Sequence, residues 1–245
     1  MVTRFYWFSF LLVLAACTPA VRSGRPPILL FAGSGTSAND VKAVRAVLEE
    51  RHLEYSAIDS TQMNHLSRDE LLAYKLLIIP GGNFIDMGKG LALDTTTNIH
   101  RAVEGGMNYL GVCAGGFLAG QGSTSYNSLN LTSGVRFGFY SAAKAGTRKA
   151  VVPIRDADNQ VLEHYWEDGP EFTGWGDVVA RYPDGTPAIV EGRSGKGWVV
   201  LAGIHAEAPA EWRNGMSFTT PVGVDKDYAG KLVEAALRGA SLPHF

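Results

Sequence analysis

The sequence predicts an α/β domain: an open, mostly parallel, doubly wound sheet with helices on both faces, extended by antiparallel strands in its second half. Three observations lead there. Short unbroken apolar runs such as Ile28-Leu29-Leu30-Phe31-Ala32 and Leu76-Leu77-Ile78-Ile79 have the character of strands buried on both faces. Segments of helical periodicity stand between them, and this alternation argues for right-handed crossovers. From Val135 onward the pattern changes to short strands separated by Gly, Pro and Asp turns.

Residues 1–16 stand apart from the fold. Arg4 is the only charge at the start, and Phe5 to Ala16 is apolar apart from Ser9. That length suits an export signal, since a membrane span needs about 20 apolar residues. Its end, Leu14-Ala15-Ala16-Cys17, resembles the lipobox of bacterial lipoproteins. The resemblance implies that Cys17 is lipidated and becomes the first mature residue. The chain is then expected in the cell envelope, held to the membrane by its lipid, at the outer membrane on its periplasmic side. An ordinary signal peptide cut nearby, or a retained signal anchor, is the alternative. Residues 17–27, with prolines, Ser and Gly, read as the lipidated cysteine and a tether.

The first core strand ends in Gly33-Ser34-Gly35-Thr36-Ser37. This loop lacks the Lys-Ser/Thr ending of a P-loop and the third glycine of a dinucleotide fingerprint, so it reads as a tight turn. Apolar residues at Val41, Val44, Val47 and Leu48 give an amphipathic helix over roughly residues 38–51. Tyr55–Ile58 is a second strand, and Ser67 with Asp69 and Glu70 begins a short helix. The third strand, Leu76–Ile79, runs into Pro80-Gly81-Gly82-Asn83, where two glycines let backbone N–H groups approach another group closely. A helix over roughly residues 94–104 returns the chain to the strand Met107–Leu110.

That strand carries the stretch around which the chain is organised, Gly111-Val112-Cys113-Ala114-Gly115-Gly116. A side chain at the apex of a strand-to-helix turn sits in strained backbone, and the turn closes only if its neighbours two before and two after are nearly bare. Gly111 and Gly115 fill those places. The Cys113 thiol is expected above the sheet at a helix N-terminus, where unpaired N–H groups favour a thiolate. A cysteine among apolar residues is ordinarily buried and inert; the two glycines argue for a nucleophile. The second half offers strands at residues 135–139, 150–154, 161–166, 178–182, 188–191 and 198–204, with Tyr165, Trp166 and Trp175 as candidate walls of a cleft, and a closing helix at 228–237.

Composition fits one globular domain. With 46% hydrophobic residues and a net charge of −2, the chain can bury a full core and has no basic excess to draw nucleic acid. The two cysteines have separate tasks on this reading, so no disulfide is expected, although export implies an oxidising compartment.

Taken together, the Pro80-Gly81-Gly82 loop, the run from Gly111 to Phe117 and His205-Ala206-Glu207 resemble the class I glutamine amidotransferase-like superfamily. Three further runs resemble more narrowly the amidotransferase-like domain at the N-terminus of fungal biotin–protein ligases, also found as a free-standing bacterial protein. They are Tyr165 to Phe172, Tyr182 to Val190 and Gly195 to His205. The resemblance covers Ile28 to about Trp212 and implies a flavodoxin-like sheet, with 28–245 as the amidotransferase-like domain. It implies that Cys113 attacks a carboxamide carbonyl, His205 moves the proton and Glu207 orients the imidazole. Residues two apart on an extended strand point to the same side, which suits the last two. Backbone N–H groups of Gly82 and Ala114 would hold the oxyanion.

Two departures bear on the substrate. Glutamine-using members carry Gln four residues after the nucleophile, where this chain has Phe117, and their His-Pro-Glu is His-Ala-Glu here. Neither a synthetase domain nor a biotin-ligase catalytic domain is expected in the chain; Gly192 to Gly197 reads as a turn between strands. The leading expectation is a lipid-anchored cysteine hydrolase acting on a small-molecule or peptide amide, or a related carbonyl, through an acyl-thioester, with no cofactor and no metal. The alternative is a catalytically silent ligand-binding or scaffold protein of the envelope.

Overall fold

The computed structural model describes Met1 and residues 24–245; the expectations of an export signal, a lipidated Cys17 and a tether fall on residues 2–23, outside the described residues, or on the short stretch just after them. The chain runs β1 (Ile28–Phe31), α1 (Ala38–Glu50), β2 (Tyr55–Ile58), α2 (Ser60–Met63), α3 (Arg68–Leu72), β3 (Leu76–Ile79), α4 (Phe84–Gly90), α5 (Leu93–Gly105), β4 (Asn108–Val112) and α6 (Ala114–Ala119). There follow β5 (Gly138–Phe139), α7 (Ser141–Lys144), β6 (Lys149–Asp156), β7 (Val161–Glu167), β8 (Pro170–Glu171), β9 (Asp177–Arg181), β10 (Pro187–Ser194) and β11 (Gly197–Ala202). A 3₁₀ turn (Ala210–Arg213) and the helix α8 (Val222–Arg238) complete it.

Nine strands form one sheet in the order β2-β1-β3-β4-β11-β10-β9-β6-β7. The first five are mutually parallel and the last four antiparallel. The reason lies in the strands themselves. Leu30 and Ile78 face α1 and α8, whereas Leu29 and Leu77 face α3 and α5, so alternate side chains feed two separate apolar layers. No polar position is left in β1 or β3 because neither has a solvent face. Ser37 starts α1 by accepting from the Asp40 N–H at 3.3 Å. Among the described residues no helix is long and apolar enough to cross a membrane.

Three expectations are corrected. Residues 135–139 do not form a full strand: only Gly138–Phe139 pair, with Pro170–Glu171, while Phe137 is buried against Phe172, so the apolar residues there serve packing. The last strand stops at Ala202, because Gly203 donates to the Ala188 carbonyl and a Cβ at Gly203 would lie 2.3 Å from the Pro170 oxygen. The closing helix begins at Val222 rather than near Tyr228, directly after Pro221.

The turn after β4 has the geometry that its glycines require. Cys113 sits at φ 48°, ψ −104°, a region costing about 1–3 kcal/mol for a residue with a side chain. Its N–H donates to the Ala202 carbonyl at 2.8 Å. A Cβ on Gly115 would lie 2.0 Å from the Ile79 oxygen, and one on Gly111 2.6 Å from the Gly115 carbonyl carbon. Gly115→Ala is therefore expected to force α6 away from β3 at a cost of about 1–3 kcal/mol or more, read as a fall in the urea midpoint. An unchanged midpoint would mean that this turn tolerates a side chain.

Candidate active site

In a parallel sheet the loops beyond the carboxyl ends of the strands converge on one edge. Here the loops after β1, β3, β4 and β11, with the start of α1, bring Ser37 and Asp40, Gly82, Cys113 and His205 to one cleft of about 500 Å³. Ala114, Phe84, Phe117 and Phe139 line it as well, and Glu167 and Asp168 close it from the end of β7.

Cys113 is buried, and its Sγ donates to the Glu167 carbonyl at 3.5 Å. The following residue, Asp168, has φ 45°, and its carboxylate pairs with Arg148. The helix after Cys113 has only six residues, so its macrodipole is weaker than that of a full-length helix. What remains at that end is the Ala114 N–H, which has no intrahelical partner. Gly82 pairs with Thr36 in an isolated antiparallel bridge whose hydrogen bonds are made by its neighbours, Ser37 to Gly81 at 3.1 Å and Asn83 to Gly35 at 2.8 Å. In such a non-hydrogen-bonded pair the N–H of Gly82 turns away from Thr36.

His205 and Glu207 meet by a different route from the one expected. They lie past the end of β11, in a turn closed by Ala208 N–H donating to the His205 carbonyl at 3.2 Å. Strand alternation is therefore not what aligns them. The turn folds Glu207 back so that Oε1 lies 2.9 Å from His205 Nδ1. His205 itself is anchored by its N–H to the Tyr165 carbonyl at 2.9 Å. Because Nδ1 faces a carboxylate, Nε2 is the ring nitrogen left for the thiol.

Sequence reasoning missed a second carboxylate. Asp40 Oδ1 lies 3.2 Å from the same Nδ1, and all three side chains are buried. Nothing local marks Asp40 for this place: three residues after the capping Ser37, it has the position of an ordinary first-turn acid of α1. Gly81 explains the close approach, since a Cβ there would lie 2.1 Å from Asp40 Oδ1 and 2.8 Å from His205 Cε1. Burial works against a charged imidazole, but Glu207, a Cys113 thiolate and Asp40 together outweigh it and hold the His205 pKa well above 6.5. Burial likewise opposes ionisation of Asp40, yet its contacts with His205 and Ser37 hold its pKa below 3.8.

A group whose pKa is raised on folding contributes stability in full below its unfolded value, near 6.5 for His205, and loses it as the pH rises through the folded value. Asp40→Asn removes one of the charges behind that rise. Urea unfolding between about pH 6 and 10 is expected to place the variant's loss of stability at lower pH than the wild type's. Superimposable pH profiles would show that Asp40 does not act on the imidazole.

Asp40, His205 and Glu207 offer ligand atoms within 4.8 Å of one another. The imidazole atom in that group, Nδ1, would have to lose its proton to bind a cation, which the raised pKa opposes. Of the aromatic residues proposed as walls, Trp166 is fully buried against Tyr140. Trp175 packs on the opposite apolar layer, and Tyr165 backs His205 with ring centroids 5.9 Å apart. Trp212, unforeseen, packs beside Tyr165 at 5.4 Å and contacts the imidazole at 5.7 Å.

A family model described as biotin-protein ligase, N terminal, matches residues 27–229. No curated protein matches the chain. Among solved structures, the chain is similar to a glutamine amidotransferase, with a TM-score of 0.62, 20% identity, and 87% of this chain and 100% of that one covered. It is also similar to a cytoplasmic protein of Salmonella typhimurium, with a TM-score of 0.51, 12% identity, and 85% and 98% coverage. A third likeness is to a β-galactosidase of Bacillus circulans sp. alkalophilus, with a TM-score of 0.54, 13% identity and 88% coverage, of which this chain spans only 31%. At these identities each is a likeness of fold.

Proposed function

From the premise that this chain belongs to the biotin–protein ligase N-terminal family and has an amidotransferase-like fold, we infer that it is a cysteine hydrolase of amides or related carbonyl compounds. The observation that carries the reading is the convergence of Cys113 and His205 on one cleft with Gly82 and Ala114, with Glu207 on the His205 Nδ1. The thiolate of Cys113 attacks the carbonyl carbon, and the Gly82 and Ala114 N–H groups hold the developing oxyanion. The C–N bond breaks as His205 gives its proton to the nitrogen, leaving an acyl-thioester and a free amine. Water then attacks the thioester carbon, His205 takes its proton, and the acid leaves as the thiolate returns. Glu207 fixes the imidazole so that one nitrogen serves throughout. Biotin ligation is no part of this reading, which assigns the domain only the acyl chemistry of the cleft.

The test is cheap. Iodoacetamide is expected to alkylate Cys113 at pH 7 far faster than free cysteine, and a panel of amides, peptides and esters should yield a substrate lost in Cys113→Ala. Alkylation no faster than that of free cysteine would favour the silent envelope protein instead.

We also propose that Cys17 carries a lipid and holds the domain in the cell envelope; the support is the form of the sequence at residues 14–17. Cys17→Ser should abolish incorporation of a palmitate analogue. Equal labelling of the variant and the wild type would overturn the assignment.

A further inference from the structure

Three aromatic rings from three separate parts of the chain meet on one wall of the cleft. Phe84 follows Gly82 at the start of α4, Phe117 lies one turn along α6 from Cys113, and Phe139 belongs to the two-residue β5. Their centroids are 4.5 Å apart for Phe84–Phe117, 4.8 Å for Phe117–Phe139 and 6.2 Å for Phe84–Phe139. The wall is open to solvent: Phe139 is 40% exposed and the adjoining Ile85 36%. These are two of only seven large apolar side chains exposed among the described residues, and both line this cleft. Apolar surface gathered in a concave site, beside polar groups that converge, is what an apolar ligand fills.

The chemistry decides which part of a substrate goes there. His205 must reach the leaving nitrogen, so the leaving group lies by Ser37, Asp40 and His205. Of the walls left for the acyl substituent, that of Arg148, Glu167 and Asp168 is charged and already ion-paired, with Arg148 on Asp168 and Lys149 on Glu167, and that of Phe84, Phe117 and Phe139 is apolar and unoccupied by any such pairing. Phe117 in particular offers no hydrogen bond to a polar acyl chain, and a buried amide without a partner loses about 1–3 kcal/mol.

We propose that the substrates of this site are amides whose acyl group ends in an aromatic ring or a comparably bulky apolar group, seated against Phe84, Phe117 and Phe139. The proposal rests on the hydrolase reading above, and the experiment separates the two. The purified protein is alkylated with chloroacetone and with 1-chloro-3-phenylpropan-2-one, in which benzyl replaces methyl on the same reactive ketone; sulfur displaces chloride in each. The rate ratio of benzyl to methyl reagent, divided by the same ratio for free cysteine, is the readout. A value of about 10 or more is expected for the wild type, falling to about 3 or less in Phe139→Ala and in Ile85→Ser, both substitutions of exposed side chains that leave the core intact. If Cys113 reacts rapidly but shows no benzyl preference, the acyl assignment is overturned while the hydrolase reading stands. A preference that survives both substitutions also overturns it, because another surface would then hold the ring. If both reagents react only as fast as with free cysteine, the hydrolase reading fails and the substrate class falls with it.

Discussion

His205→Ala is expected to slow alkylation of Cys113 by iodoacetamide at pH 7 by about tenfold or more, and to cut turnover of any amide substrate by about 10²–10⁴-fold. The first figure follows from proton transfer: a free cysteine is only a few per cent thiolate at neutral pH, and His205→Ala removes the side-chain base that would take the proton from sulfur. The second adds the loss of the acid that protonates the leaving amine. Glu207→Gln should fall between wild type and His205→Ala, since the amide still fixes the ring but no longer stabilises its charge. Stopped-flow alkylation of the three proteins orders them. Identical rates for wild type and His205→Ala would remove His205 from the thiol altogether, even if Cys113 proved reactive.

Asp225→Ala is expected to lower stability by about 3–5 kcal/mol, or roughly 6–20 °C in Tm for a chain of this size. Asp225 is fully buried on α8 and paired with the buried Arg213. His164 Nδ1 lies 3.3 Å from its other oxygen, an ion-pair distance without hydrogen-bond geometry. Removing the carboxylate leaves a guanidinium in the interior with no counter-charge from Asp225, held by the Thr220 carbonyl at 2.7 Å and the face of Phe218 at 4.2 Å. Arg213 also ends the 3₁₀ turn that presents Trp212 to His205, so the loss should weaken that contact with the imidazole as well as the fold. Thermal unfolding of Asp225→Ala beside Asp225→Asn gives the measurement; a Tm within a degree or two of wild type would show that the cluster does not hold the C-terminal segment.

Much of the frame was legible because its causes are local. An unbroken Ile-Leu-Leu-Phe run states that both faces are covered, and glycines two before and two after a cysteine state that the backbone turns there. Strand limits in the second half were displaced by one to three residues, because register is set by partners distant in sequence: Arg155 pairs with Arg181 and Tyr109 with Val199. His205 and Glu207 could be named as a pair but not their geometry, since the end of β11 is fixed by Gly203 packing on Pro170. Asp40 and Trp212 had no local signature. One is an ordinary first-turn acid and the other a tryptophan in a polar stretch; only the fold brings each to the imidazole.

The position of β11 has a consequence for how the molecule is made. It lies between β4 and β10 in the sheet although it is the last of these strands along the chain. A chain emerging N-terminus first therefore holds β4 as an unpaired sheet edge until the β10–β11 hairpin, closed at Ser194 and Gly197, docks β11 against it with Val199 opposite Tyr109. Such docking is a contact of high sequence separation and folds slowly. The Cys113 N–H bonds to Ala202, a residue of that same strand, and His205 follows three residues later. The step that completes the sheet is thus also the one that brings His205 to Cys113, so a truncated or stalled chain lacks that arrangement.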